Sequence, residues 1–177
     1  IEEISDDLES ERQSLVQKVG ENVIIRKKEC IGGDNLYSYI HSNGKVGALV
    51  SLKDDNEELG KDIAMHVTAS NPKFLSPEDV DSETLEKEKQ ILKAQVEDTN
   101  KPEEIIEKMI EGRLNKFLSE ISLLKQPFVK DPSTSIENIL NDHKNSIVEF
   151  TRIEVGEGIE VEQKDFASEV QAQLQNS

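Results

Sequence analysis

Apolar positions recur along this chain in two rhythms, one helical and one alternating. Near the start, Ile4, Leu8, Leu15 and Val16 stand among charges, and Gly20 follows as a helix-stopping residue. That predicts an amphipathic helix over residues 1–20. Val23-Ile24-Ile25 opens a β-branched run through Cys30 and predicts a strand. Two further apolar runs, residues 36–41 and 46–52, flank Ser42-Asn43-Gly44-Lys45. Asn-Gly accepts the positive φ angles of a type I′ turn, so these runs predict a β-hairpin.

Leu59, Ile63 and Val67, spaced by four, predict a helix that Pro72 ends. Ser76-Pro77-Glu78-Asp79 has the form of an N-cap with proline at the first helical position. A charged helix over residues 83–96 follows, with a sparse stripe of Leu85, Leu92 and Val96. Asp98-Thr99-Asn100-Lys101-Pro102 breaks it. The next helix, residues 103–122, carries Ile106, Met109, Ile110, Leu114, Phe117, Leu118 and Ile121 at spacings of three and four. Two consecutive helices of this kind predict an antiparallel hairpin projecting from the domain. Such a pair cannot cover so broad a seam alone, so Ile106, Met109, Ile110, Leu114 and Phe117 are candidate dimerisation residues.

Asp131-Pro132 predicts a turn, and Thr134 with Glu137 fits a capping box for a short helix carrying Ile136, Ile139 and Leu140. Residues 147–155 read as a buried strand. Asp165 is placed to cap a terminal helix with Phe166, Val170 and Leu174 on one side. The expected class is α+β, a small antiparallel sheet with helices packed on it plus the inserted helical hairpin. The expected division is a helix over 1–20, a core from 21–82 and 126–163, the hairpin at 83–125 and a helical module at 164–177.

Composition narrows what this fold can do. Of 177 residues, 34% are hydrophobic and 4% aromatic, thin for one large globule and consistent with exposed helices. Lys plus Arg total 21 against 37 Asp plus Glu, a formal charge of −16, which repels a phosphate backbone or an anionic bilayer. Nucleic acid and membrane are therefore not expected as direct partners. The single Cys30 excludes an internal disulfide and fits a reducing compartment. The chain opens at Ile1-Glu2-Glu3 without Met or a signal-peptide pattern, so a fragment or a processed product is expected.

No constellation for covalent chemistry emerges, and neither a cofactor nor a metal is expected. His41, His66 and His143 are far apart, and Cys30 reads as a small buried hydrophobe. Gly32-Gly33 and Gly156-Glu157-Gly158 lack the Lys-Ser/Thr ending of a phosphate loop and read as turns. His66, beside Val67, reads as a packed or rim residue. By spacing alone His41 is a solvated turn residue.

Six stretches in order carry a family resemblance: Lys18-Val19-Gly20-Glu21-Asn22-Val23, residues 62–70 (DIAMHVTAS), Asn71-Pro72-Lys73-Phe74, Glu107-Lys108-Met109-Ile110-Glu111-Gly112-Arg113, Gln126-Pro127-Phe128-Val129, and residues 150–158 (FTRIEVGEG). Together they resemble the carboxy-terminal two-thirds of elongation factor Ts, the guanine-nucleotide exchange factor of elongation factor Tu. The resemblance implies a two-part core with a coiled-coil insertion, a cytoplasmic bacterial or an organellar setting, and elongation factor Tu as partner. Val19 and Gly20 match an apolar-Gly pair that the family presses on the nucleotide-binding domain of Tu. His41 matches the histidine of Ser-Tyr-x-His, which approaches the same domain, and Phe128 and Val129 match a pair near the surface facing Tu.

The family's preceding helical module and its Asn-x-x-Thr-Asp-Phe-Val motif have no match here; Asp165-Phe166 lies at the wrong end to replace it. This segment alone is thus expected to accelerate GDP release poorly. A competing reading is a dimerisation or scaffold module that recruits partner proteins through the helical hairpin.

Overall fold

A computed structural model describes residues 4–96 and 102–159, and the terminal helix expected around Asp165 lies outside them. In chain order the elements are α1 (Asp6–Val19), β1 (Asn35–Ile40), β2 (Val46–Leu52), α2 (Glu57–Ser70), α3 (Ser82–Val96), α4 (Glu103–Ile121), α5 (Ile136–Asp142) and β3 (Ile147–Glu154). The class is α+β, as expected. The sheet is antiparallel with order β1-β2-β3. Tyr39 pairs with Ala48, and Ala48 in turn with Arg152.

The core forms where α2 crosses β1 and β2. Ala48, Val50 and Leu52 point inward from β2 at every second position, as strand geometry demands. Leu59, Ile63, Ala64 and Val67 meet them from one face of α2, and Leu123, Phe128, Ile136, Leu140 and Ile147 close the cluster. Each large side chain buried here contributes roughly 1.5–3 kcal/mol. On the opposite face of the sheet Leu36, Ile40, Leu49 and Ile153 stay exposed.

Local chemistry sets the helix ends. Gly20 stops α1 in the left-handed conformation at φ 75°. Asn56 Oδ1 accepts the Leu59 N–H at 3.1 Å and starts α2, and Asn71, at φ 49°, ends it. Ser76-Pro77-Glu78-Asp79 does open a helical turn, but a separate 3₁₀ turn over Pro77–Asp79. The α3 helix begins afresh, with the Asp81 carboxylate accepting the backbone N–H and the hydroxyl of Thr84, both at 2.8 Å. The α3 and α4 helices contact each other, and Arg113 Nη1 donates to Gln95 Oε1 at 3.1 Å. At their base, residues 73–75 and 121–124 are joined by backbone bonds such as Leu123 N–H to Phe74 C=O at 2.9 Å.

Four expectations are corrected. Residues 23–30 form no strand: the run passes beside β3, sharing a surface hollow with Glu149, Phe150 and Thr151, but no ladder joins them. The β1–β2 turn is not type I′. Only Gly44 has positive φ (67°), and its N–H donates to His41 C=O at 2.8 Å around Ser42-Asn43. The cap of α5 is Ser135 rather than Thr134; its hydroxyl accepts the Asn138 N–H at 3.2 Å. Finally, β3 is not a buried strand. It pairs on one side only and exposes Val148 while burying Ile147.

Candidate functional site

Continuing the alternation of β1 brings a hollow into being. Tyr37 and Tyr39 turn toward α2 while Leu36, Ser38 and Ile40 face away, so the next inward position is His41. On α2, Met65 and Ala69 are one turn apart, with Thr68 beside them. The loop after α4 supplies Val129 and Lys130. These residues, with Val46 of β2, line one open hollow of about 370 Å³ whose walls are mostly apolar.

His41 is exposed, and Val129 is 43% exposed. Phe128 instead turns inward, 8% exposed, with its ring centroid 6.1 Å from that of His66. Val19 and Gly20 are exposed at the end of α1, outside the hollow. The structure thus joins His41 to Val129, packs the neighbouring Phe128 into the core, and leaves Val19 and Gly20 elsewhere. Met65 and Ala69 were not singled out from the sequence, although both lie in the DIAMHVTAS stretch that carries the resemblance.

The Val129 loop is pinned at each residue. Phe128 N–H donates to Thr134 C=O at 2.9 Å, and Asp131 N–H donates to Phe128 C=O at 3.1 Å. Lys130 Nζ pairs with Asp62 of α2. Val129 N–H donates to Nδ1 of His66 at 3.2 Å. His66 is fully buried, so its reading as a packed residue holds, and burial pushes its pKa below the ordinary value of 6.5.

The remaining candidates lie outside the hollow. Cys30 is exposed, not buried, because the run that carries it never joins the sheet. Gly156 and Gly158 take φ values of 87° and 72° in the turn after β3, as a turn reading requires. Ile106, Met109, Ile110, Leu114 and Phe117 are all half-buried on α4, and no residue of that helix is fully buried. No described helix is long and apolar enough to cross a membrane.

Comparison with known proteins gives one family throughout. The family model for elongation factor TS matches residues 1–157. The chain is 50% identical over 167 residues to an elongation factor Ts of Hahella chejuensis, covering 94% of this chain and 58% of that protein. It is 52% identical over 170 residues to that of Azotobacter vinelandii, covering 95% and 58% respectively. For Francisella tularensis subsp. novicida the identity is 45% over 166 residues, covering 94% and 57%. The chain therefore spans less than three-fifths of the length of these relatives.

Proposed function

The chain belongs to the elongation factor Ts family, and we propose that it binds elongation factor Tu through the hollow between the β1–β2 turn, α2 and the Val129 loop. The observation that carries this reading is the convergence of His41 and Val129 on one open apolar hollow. The two residues come from distant parts of the chain, and both were tied to Tu by the resemblance. Val19 and Gly20, exposed at the end of α1, form a second point of contact.

Such a surface acts by binding. An exchange factor holds the GTPase in a state whose magnesium and phosphate contacts are distorted, so the affinity for guanine nucleotide falls. Linkage makes the effect reciprocal, and bound nucleotide weakens the factor equally. No covalent bond is made or broken, so the protein is not an enzyme in the usual sense. The function is nucleotide exchange in translation elongation, in a bacterial cytoplasm.

The second copy expected on α4 remains part of this proposal. Its support is the half-buried apolar row from Ile106 to Phe117 on a helix with no fully buried residue. Co-purification of Tu by the immobilised chain, with and without added GDP, tests the main reading. Recovery of Tu that falls when GDP is present supports it; no recovery in either condition overturns it.

A further inference from the structure

Behind the hollow runs a polar relay of four residues that links α2 to the end of α4 and the loop after it. Gln126, 4% exposed, donates from its side-chain nitrogen to Glu120 C=O in the last turn of α4, at 2.6 Å. That fixes its Oε1 as an acceptor, facing Nε2 of His66 at 2.9 Å, so His66 carries its proton on Nε2. Its Nδ1 is then bare and accepts the Val129 N–H at 3.2 Å. The same assignment follows from the other end, because a backbone N–H can only donate. One neutral tautomer of one buried ring satisfies both partners.

We propose that His66 is the positioning residue of the Val129 loop, holding that residue's N–H so that its side chain faces the hollow while Phe128 faces the core. The inference rests on the reading that this loop meets Tu. The register matters because neighbouring residues point opposite ways. Phe128 is 8% exposed and Val129 43%. Without the Nδ1 acceptor the Val129 N–H loses its partner, and an unpaired polar group behind a closed interface weakens the complex. Through Gln126 the same ring also ties the loop to the base of α4, so the α3–α4 pair and the Tu-facing surface share one rigid support.

Two substitutions separate the roles of the two ring nitrogens. In His66→Asn the side-chain oxygen takes roughly the place of Nδ1 and can still accept from Val129. In His66→Gln the terminal amide takes roughly the place of Nε2 and reaches Gln126, but leaves Val129 unpaired. Affinity for nucleotide-free Tu is measured by calorimetry for the unmodified chain and both variants, with amide hydrogen exchange at Val129 alongside.

The expected result is a loss of about tenfold for His66→Gln and less than about threefold for His66→Asn. The Val129 amide should be protected in the unmodified chain and in His66→Asn, and exchange at least about tenfold faster in His66→Gln. Equal affinities for the two variants, or a Val129 amide unprotected in the unmodified chain, overturn the inference. If a variant fails to fold, the exchange measurement on the unmodified chain decides alone. Absence of any binding by the unmodified chain overturns instead the assignment of Tu as partner, and the inference falls with it.

Discussion

His41, in the turn after β1, and Val129, in the loop after α4, line one apolar hollow against Met65 and Ala69 of α2. Neither side chain is needed to close the core, so the two can be altered without unfolding the protein. If the hollow is the proposed contact, a charge placed there meets Tu directly. Val129→Asp should weaken binding to Tu by more than about tenfold. Its thermal midpoint should stay within about 2 °C of the unmodified protein, since exposed positions carry little stability. A calorimetric titration paired with thermal unfolding checks both; full-strength binding by the variant would count against the hollow as the contact.

Gly60 allows α2 to approach β1. A Cβ at this position would fall 2.1 Å from Cδ2 of Tyr37. The tyrosine ring has little freedom to yield, because its hydroxyl donates to Asp55 and accepts the Asn56 N–H at 2.9 Å. Alanine gains about 1 kcal/mol in helix propensity, yet overpacking costs typically 1–3 kcal/mol or more. Gly60→Ala should therefore be destabilised overall in urea unfolding. A more stable variant would show that β1 and α2 separate easily.

Acid should loosen the core through His66. Burial holds its pKa below 6.5, so in a window below pH 6.5 the unfolded chain takes up a proton that the folded chain refuses. The stability contributed by the neutral ring is complete above pH 6.5 and is lost as pH falls from there through the folded value. Urea midpoints between pH 7.5 and 5.5 should drop more steeply for the unmodified chain than for His66→Asn. Parallel slopes would place the acid sensitivity elsewhere.

Assembly through α4 is checked by mass. Light scattering of the unmodified chain should give a dimer, and Ile110→Lys combined with Phe117→Lys should return it to a monomer. A monomeric mass before any substitution rules out the seam as a self-association surface at that concentration.

Elements with strong periodicity could be read from the residues: the Leu59-Ile63-Val67 face became α2, and both flanks of Asn43-Gly44 became strands. Where the reading failed, neighbours decided. Val23-Ile24-Ile25 has β-branched chemistry but no ladder partner, so it stays irregular and leaves Cys30 exposed. The β-rich run of β3 read as buried, but the strand pairs with β2 alone and Ile147 is its single buried residue. His41 and Val129 entered as candidates through family resemblance, since spacing alone made His41 a turn residue. The role of His66 was invisible because its partners Gln126 and Val129 lie 60 and 63 positions away. Only the folded chain brings them together.

Reciprocity between nucleotide and factor is the most demanding consequence of the Tu assignment. Titrating Tu with the chain, and separately titrating Tu with GDP, each in the presence and absence of the other ligand, gives both coupling factors. GDP should weaken the chain's affinity for Tu, and the chain should weaken GDP by the same factor. An affinity for Tu that GDP leaves unchanged would contradict an exchange function for this surface.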